Sequence, residues 1–91
     1  MVIHAKQFVV RGRVQGVGFR WFTQRSAQRH GIQGWVKNLP DGQVAILASG
    51  SDTALQWFER DVRTGPPGAR VEDVTVTDIQ NAEETSGFAV Q

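Results

Sequence analysis

The sequence predicts an α+β fold, six elements in the order β-α-β-β-α-β, with two helices covering one face of an antiparallel sheet. Three observations lead there. Apolar and polar residues alternate in several short runs, two other runs space their apolar residues by three or four, and turns bearing Gly or Pro separate them. The chain has 91 residues, 40% of them hydrophobic. That length holds one core and no second lobe, so residues 1–91 are expected to form a single domain.

From Gln7 to Val14, Phe8, Val10, Gly12 and Val14 alternate with Val9, Arg11 and Arg13, the period of a strand with one buried face. Gln15-Gly16-Val17-Gly18 breaks that period. From Phe19 onward Phe19, Thr23, Ser26 or Ala27 and His30 fall on one helical stripe, which Gly31 ends. Residues 33–39 read as a strand, Pro40-Asp41-Gly42 as a tight turn, and residues 43–48 as the hairpin partner. Ser51 is a natural N-cap for a helix whose stripe is Leu55, Phe58 and Val62, and Gly65-Pro66-Pro67-Gly68 stops it. Val74, Val76 and Ile79 mark a fourth strand, and Phe88 to Val90 a short closing one.

Composition removes several classes of function. There is no Cys, which excludes disulfides, thiolate metal sites and cysteine nucleophiles. Met1 is followed closely by His4 and Lys6, so neither a signal peptide nor a membrane span is read, and a cytoplasmic protein is expected. The net charge of +1 conceals a split. Residues 1–45 hold seven bases (Lys6, Arg11, Arg13, Arg20, Arg25, Arg29 and Lys37) and one acid, Asp41, whereas residues 46–91 hold three bases and eight acids. Such asymmetry suits a first half that faces an anion, or simply a helix that drew Arg for its wet side.

The segment richest in chemistry is Gly12-Arg13-Val14-Gln15-Gly16-Val17-Gly18-Phe19-Arg20, a glycine-bearing turn from a strand into a helix. Gly16 and Gly18 can take positive φ, which lets successive backbone N–H groups converge at the positive end of the helix dipole. Arg20 adds a planar fork of donors for phosphate oxygens. A cation there opposes the dipole, so stability alone does not call for it. The loop lacks the Gly-Lys-Ser/Thr of a nucleotide-binding loop, has Val14 where a cysteine phosphatase needs its thiolate, and has no clustered carboxylates for a metal.

An anion site without nucleophile, base or metal restricts the reaction. An alkyl phosphate must expel a strongly basic alkoxide, whereas an acyl phosphate expels a carboxylate whose conjugate acid has a pKa of about 4. For such a substrate it is enough to neutralise the phosphoryl oxygens and place one water in line. Asn38, just before Leu39-Pro40-Asp41-Gly42, carries both a donor and an acceptor for that water. Asn is equally at home as a turn former in this position.

Together these residues resemble the acylphosphatase family. Gly12 to Arg20 is similar to its phosphate-binding signature, and Gly31-Ile32-Gln33-Gly34-Trp35-Val36-Lys37-Asn38 with Asp41-Gly42 to its second block. Phe58, Gly65-Pro66-Pro67 with Ala69 and Val71, and Gly87-Phe88 with Val90 extend the resemblance over nearly the whole chain. It implies a ferredoxin-like fold and metal-free, cofactor-free hydrolysis of acyl phosphates by a monomer. It also implies that Arg20 and the backbone N–H groups of Gln15, Gly16, Val17, Gly18, Phe19 and Arg20 bind the phosphate, and that Asn38 orients the attacking water. Inorganic phosphate would be product and inhibitor, with neither nucleic acid nor membrane as partner. The sequence departs from the family pattern at Thr85, where an aromatic is common, and at Gln91, where a basic residue is frequent.

The competing reading is an RNA-binding module of the same element order, with Phe8-Val9-Val10 as its first-strand motif. Its third strand should carry aromatics, and Gln43-Val44-Ala45-Ile46-Leu47-Ala48 has none. A small-ligand regulatory module is a second alternative. His4, in an N-terminal tail, and His30 are expected to be structural or solvent-exposed, and Trp21, Trp35 and Trp57 to serve packing or amphipathic cover.

Overall fold

The computed structural model describes residues 3–80 and 86–91. Its elements run β1 (His4–Arg13), α1 (Phe19–His30), β2 (Gln33–Asn38), β3 (Val44–Gly50), α2 (Asp52–Thr64), β4 (Arg70–Ile79) and β5 (Phe88–Val90). They build one sheet of strand order β4-β1-β3-β2-β5. The first four strands pair antiparallel, and β5 adds itself to β2 in parallel. The arrangement is the ferredoxin-like α+β fold the element order predicts.

The alternation in β1 sets which face is buried. Phe8 and Val10 are fully enclosed together with Val44, Ile46 and Ala48 of β3 and Val36 of β2. Phe19 and Ala27 of α1 and Leu55, Phe58 and Val62 of α2 close over them in one continuous core. Phe58 stands at its centre, edge-on to Phe8 at 5.8 Å and to Phe88 at 6.0 Å. An aromatic trio of this kind adds directional contacts to the area it removes from water. The helix ends follow the predicted signals. Gly31 closes α1 in the left-handed region, and the Ser51 hydroxyl accepts from Ala54 N at the start of α2.

Three strands are longer than their apolar runs, and β3 continues to Gly50, two residues past the expected end at Ala48. β1 begins at His4, which pairs with Gly50 and is therefore a strand residue rather than part of a tail. β4 begins at Arg70, because β1 supplies partners along its whole length across an irregularity at Arg11/Gly12. Backbone pairing carries these ends, and pairing leaves no mark in side-chain periodicity. Thr85 lies outside the described residues.

The open sheet face answers the RNA reading. In register across it lie Thr77, Gln7, Leu47 and Trp35, then Thr75, Val9, Ala45 and Lys37. Trp35 is the one aromatic in these two rows, and the Lys37 ammonium stands 4.9 Å from its ring. Phe8 and Val10 point into the core. The stacking surface that such a module needs is not formed by these residues.

Candidate active site

The turn from β1 into α1 and the end of β2 meet at one edge of the molecule. Gly16, Gly18, Phe19 and Arg20 share a cavity of about 200 Å³ with Asn38, walled by Val14, Trp21 and Val90. Since β3 separates β1 from β2 in the sheet, residues from two non-adjacent strands converge there. Among the described residues, the lining includes no carboxylate, His or Cys.

The cradle is shaped by its glycines. Gly16 has φ 74° and Gly18 φ 79°, both in the left-handed region. A Cβ built on either meets nothing within 4 Å, so the space in front of these backbone groups is open. Gly18 is also the N-cap of α1. It offers no side-chain cap, and no acid stands in the first turn. The first amides of a helix need partners, and here no capping side chain satisfies them, which leaves them available to an anion.

Arg20 is the second residue of α1, and its Nη1 donates to the Gln91 carbonyl at 2.9 Å. Gln91 is itself fixed by its N–H donating to Val36 O at 2.8 Å. The guanidinium is thus oriented by the edge of the sheet beyond β5. Because the contact uses main chain, the side-chain departure at Gln91 does not touch it.

Asn38 ends β2 with its Oδ1 buried and without a hydrogen-bond partner among the described residues. Leaving such an acceptor dry costs about 1–3 kcal/mol, a cost that a water or substrate proton would remove.

Of the other predicted residues, Gln15 and Val17 do not line this cavity. Val17 lines a neighbouring groove. The Gln15 side chain turns to the β2–β3 hairpin, where Nε2 donates to Leu39 O and Gln43 O, both at 2.8 Å. Leu39 N also donates to Gln43 O, so these two carbonyls mark the neck of the hairpin just beyond Asn38. One amide therefore ties the cradle to the strand end that carries Asn38. This side-chain role was not legible from sequence, since its partners are carbonyls 24 and 28 residues away. At the turn, Gln43 N donates to Asp41 Oδ1 at 3.0 Å and Gln43 Nε2 to Asp41 Oδ2 at 2.7 Å. These bonds, the backbone one foremost, hold the Asp41 carboxyl below its ordinary pKa of 3.8.

The two histidines stand away from this cavity. His30 Nε2 lies 3.1 Å from Asp61 Oδ2, an oxygen that also accepts from Ser26 Oγ at 2.7 Å.

Residues 6–90 of the chain match the acylphosphatase family. The chain is 45% identical over 84 residues to an acylphosphatase of Bacillus subtilis, covering 92% of each. It is 51% identical over 81 residues to an acylphosphatase of Archaeoglobus fulgidus, covering 87% of this chain and 91% of that one. It superposes on the crystal structure of acylphosphatase from Bacillus subtilis with a TM-score of 0.94, at 42% identity and over 99% of both chains.

Proposed function

The chain belongs to the acylphosphatase family, and on that premise we propose that Arg20 and the cradle backbone bind the phosphoryl group while Asn38 orients the attacking water. The reaction itself is hydrolysis of an acid anhydride, the carboxyl–phosphate bond of an acyl phosphate. Water oxygen attacks phosphorus, the bond from phosphorus to the acyl oxygen breaks, and its electron pair leaves on the carboxylate. The water's proton goes to phosphate or solvent. No covalent enzyme intermediate is required.

The observation that carries these roles is the buried, unpartnered Asn38 Oδ1 in the same cavity as Arg20 and the uncapped start of α1. As an acceptor it can take one proton of a water and aim that water's lone pair at phosphorus. The backbone N–H groups of residues 15–20 and the Arg20 guanidinium face charge that grows on the phosphoryl oxygens, which is where fixed donors lower a barrier most. Among the described residues no carboxylate, His or Cys stands in the lining, and a carboxylate leaving group departs without a general acid.

We further propose that the protein works without a metal, as a monomer in the cytoplasm, with residues 1–91 as one domain and phosphate as a competitive inhibitor. Supporting this, the cavity is built by one copy of the chain around one core. The test is turnover of an acyl phosphate by chelator-treated protein. Arg20→Ala is expected to lose both kcat and phosphate affinity. Asn38→Ala is expected to lower kcat about 100-fold with the phosphate inhibition constant within about twofold of wild type. Full kcat in Asn38→Ala would overturn its role.

A further inference from the structure

The cavity that takes the phosphoryl group shares Gly18 and Trp21 with a second concavity of about 610 Å³. This groove is lined by Trp21, Phe22 and Arg25 of α1, by the Pro66–Pro67 turn after α2, and by Val17. We propose that the groove is the acyl subsite, that Trp21 is its specificity-determining residue, and that the protein favours acyl phosphates whose acyl group is flat and apolar. The proposal rests on the reading that residues 15–20 hold the phosphoryl end.

Position comes first. The cradle cavity of about 200 Å³ and the larger groove of about 610 Å³ lie side by side. Trp21 is the aromatic wall common to both spaces, and across it the larger concavity begins. Chemistry points the same way. Trp21 is 62% exposed, although it stands in the first turn of a helix whose buried stripe is Phe19, Thr23, Ser26 and Ala27. It therefore contributes little to the core. Its ring is held by the Arg25 guanidinium, 4.8 Å from the ring centroid, which restrains the indole as a flat platform. Val17, Phe22 and the two prolines make the remainder apolar. Of the two arginines at the groove, Arg29 is engaged by Asp61 at 3.5 Å. A planar apolar group laid on Trp21 would cover exposed aromatic surface without breaking any hydrogen bond.

The experiment compares benzoyl phosphate with acetyl phosphate, each kcat/KM divided by the uncatalysed hydrolysis rate. Wild type is expected to favour benzoyl phosphate at least tenfold. Trp21→Ala is expected to lower the benzoyl-to-acetyl ratio about tenfold, and Trp21→Phe to keep most of it. An unchanged ratio in Trp21→Ala, whether both substrates fall together or neither falls, overturns the subsite while leaving the phosphoryl cradle standing. A wild-type protein that accelerates neither substrate overturns the cradle and the subsite with it. Because the side chain is exposed, the alanine variant is expected to fold, which circular dichroism checks.

Discussion

Gln15 shows how one side chain joins two halves of a site. Its backbone opens the turn that leads into the cavity, and its amide spans to the hairpin neck and donates to two carbonyls beyond Asn38. Gln15→Glu keeps the length and removes both donors, setting carboxylate oxygens against carbonyl oxygens. Both carbonyls keep a backbone donor, Gly42 N for Leu39 O and Leu39 N for Gln43 O, so the cost is that of two lost bonds, about 0.5–1.5 kcal/mol each, plus the new repulsion. The hairpin is expected to relax away from the cradle, lowering kcat about tenfold while phosphate inhibition, which depends on the cradle, changes less. Steady-state kinetics with phosphate as inhibitor reads both quantities, and equal loss in each would show that the clamp serves the cradle instead. Arg20 and the two glycines were legible in the sequence because their types are unusual in their place: a cation at a helix start, and positive φ in a strand-to-helix turn. Asn38 was legible only as one of two roles, since Asn before a turn is ordinary turn chemistry and the buried Oδ1 appears only in three dimensions. The Gln15 amide had no signal at all, because main-chain carbonyls look alike at every position.

Between elements, α1 and α2 are joined through Asp61. Its Oδ2 accepts from Ser26 Oγ at 2.7 Å, stands 3.1 Å from His30 Nε2 and 3.5 Å from Arg29 Nη1. Ser26 is buried, so its hydroxyl depends on that carboxylate. Asp61→Ala is expected to destabilise the fold by about 1–3 kcal/mol, from the orphaned hydroxyl and the lost charge-assisted bonds. Urea denaturation measures this, and a change below about 0.5 kcal/mol would mean that water replaces the carboxylate. The hairpin turn carries a pH signature. Hydrogen bonds from Gln43 lower the folded pKa of Asp41 from 3.8, so the contribution is complete above the unfolded value and is lost as pH falls through the lowered folded one. The group is fully exposed and the effect small. Asp41→Ala is expected to flatten the stability profile below about pH 4 relative to wild type, with thermal melts at stepped pH as the measurement; parallel profiles would refute the assignment. The helices were legible to the residue because capping residues announce them. β1 and β4 were legible only where side chains alternate, and their outer ends exist because each strand gives the other a ladder.

At the scale of the molecule, the charge split of the sequence does not survive as a split in space. β1, from the basic half, lies between β3 and β4, and β4 carries Glu72, Asp73 and Asp78 of the acidic half. Lys6 Nζ reaches Asp78 at 4.0 Å, Arg11 is paired in register with Asp73, and Arg29 meets Asp61 on the helical face. Interleaving the two halves in one sheet thus sets opposite charges side by side. Near the site there remain Arg20 in the cavity and Arg25 on the adjoining groove. With a net charge of +1 the far field is weak, and attraction of an anionic substrate comes from these two groups at short range. The Debye length is about 30 Å at 0.01 M salt and about 10 Å at 0.1 M, so salt screens the approach more than the contact itself. KM for a small acyl phosphate is therefore expected to rise by no more than about threefold between 10 mM and 300 mM potassium chloride, with kcat unchanged. Chloride is the proper salt, because sulfate and phosphate would compete for the cradle. A rise of tenfold or more would show that the bases of the first half act together as a steering field after all, and Lys37→Gln and Arg13→Gln, on residues outside the cavity, would then lower the salt dependence.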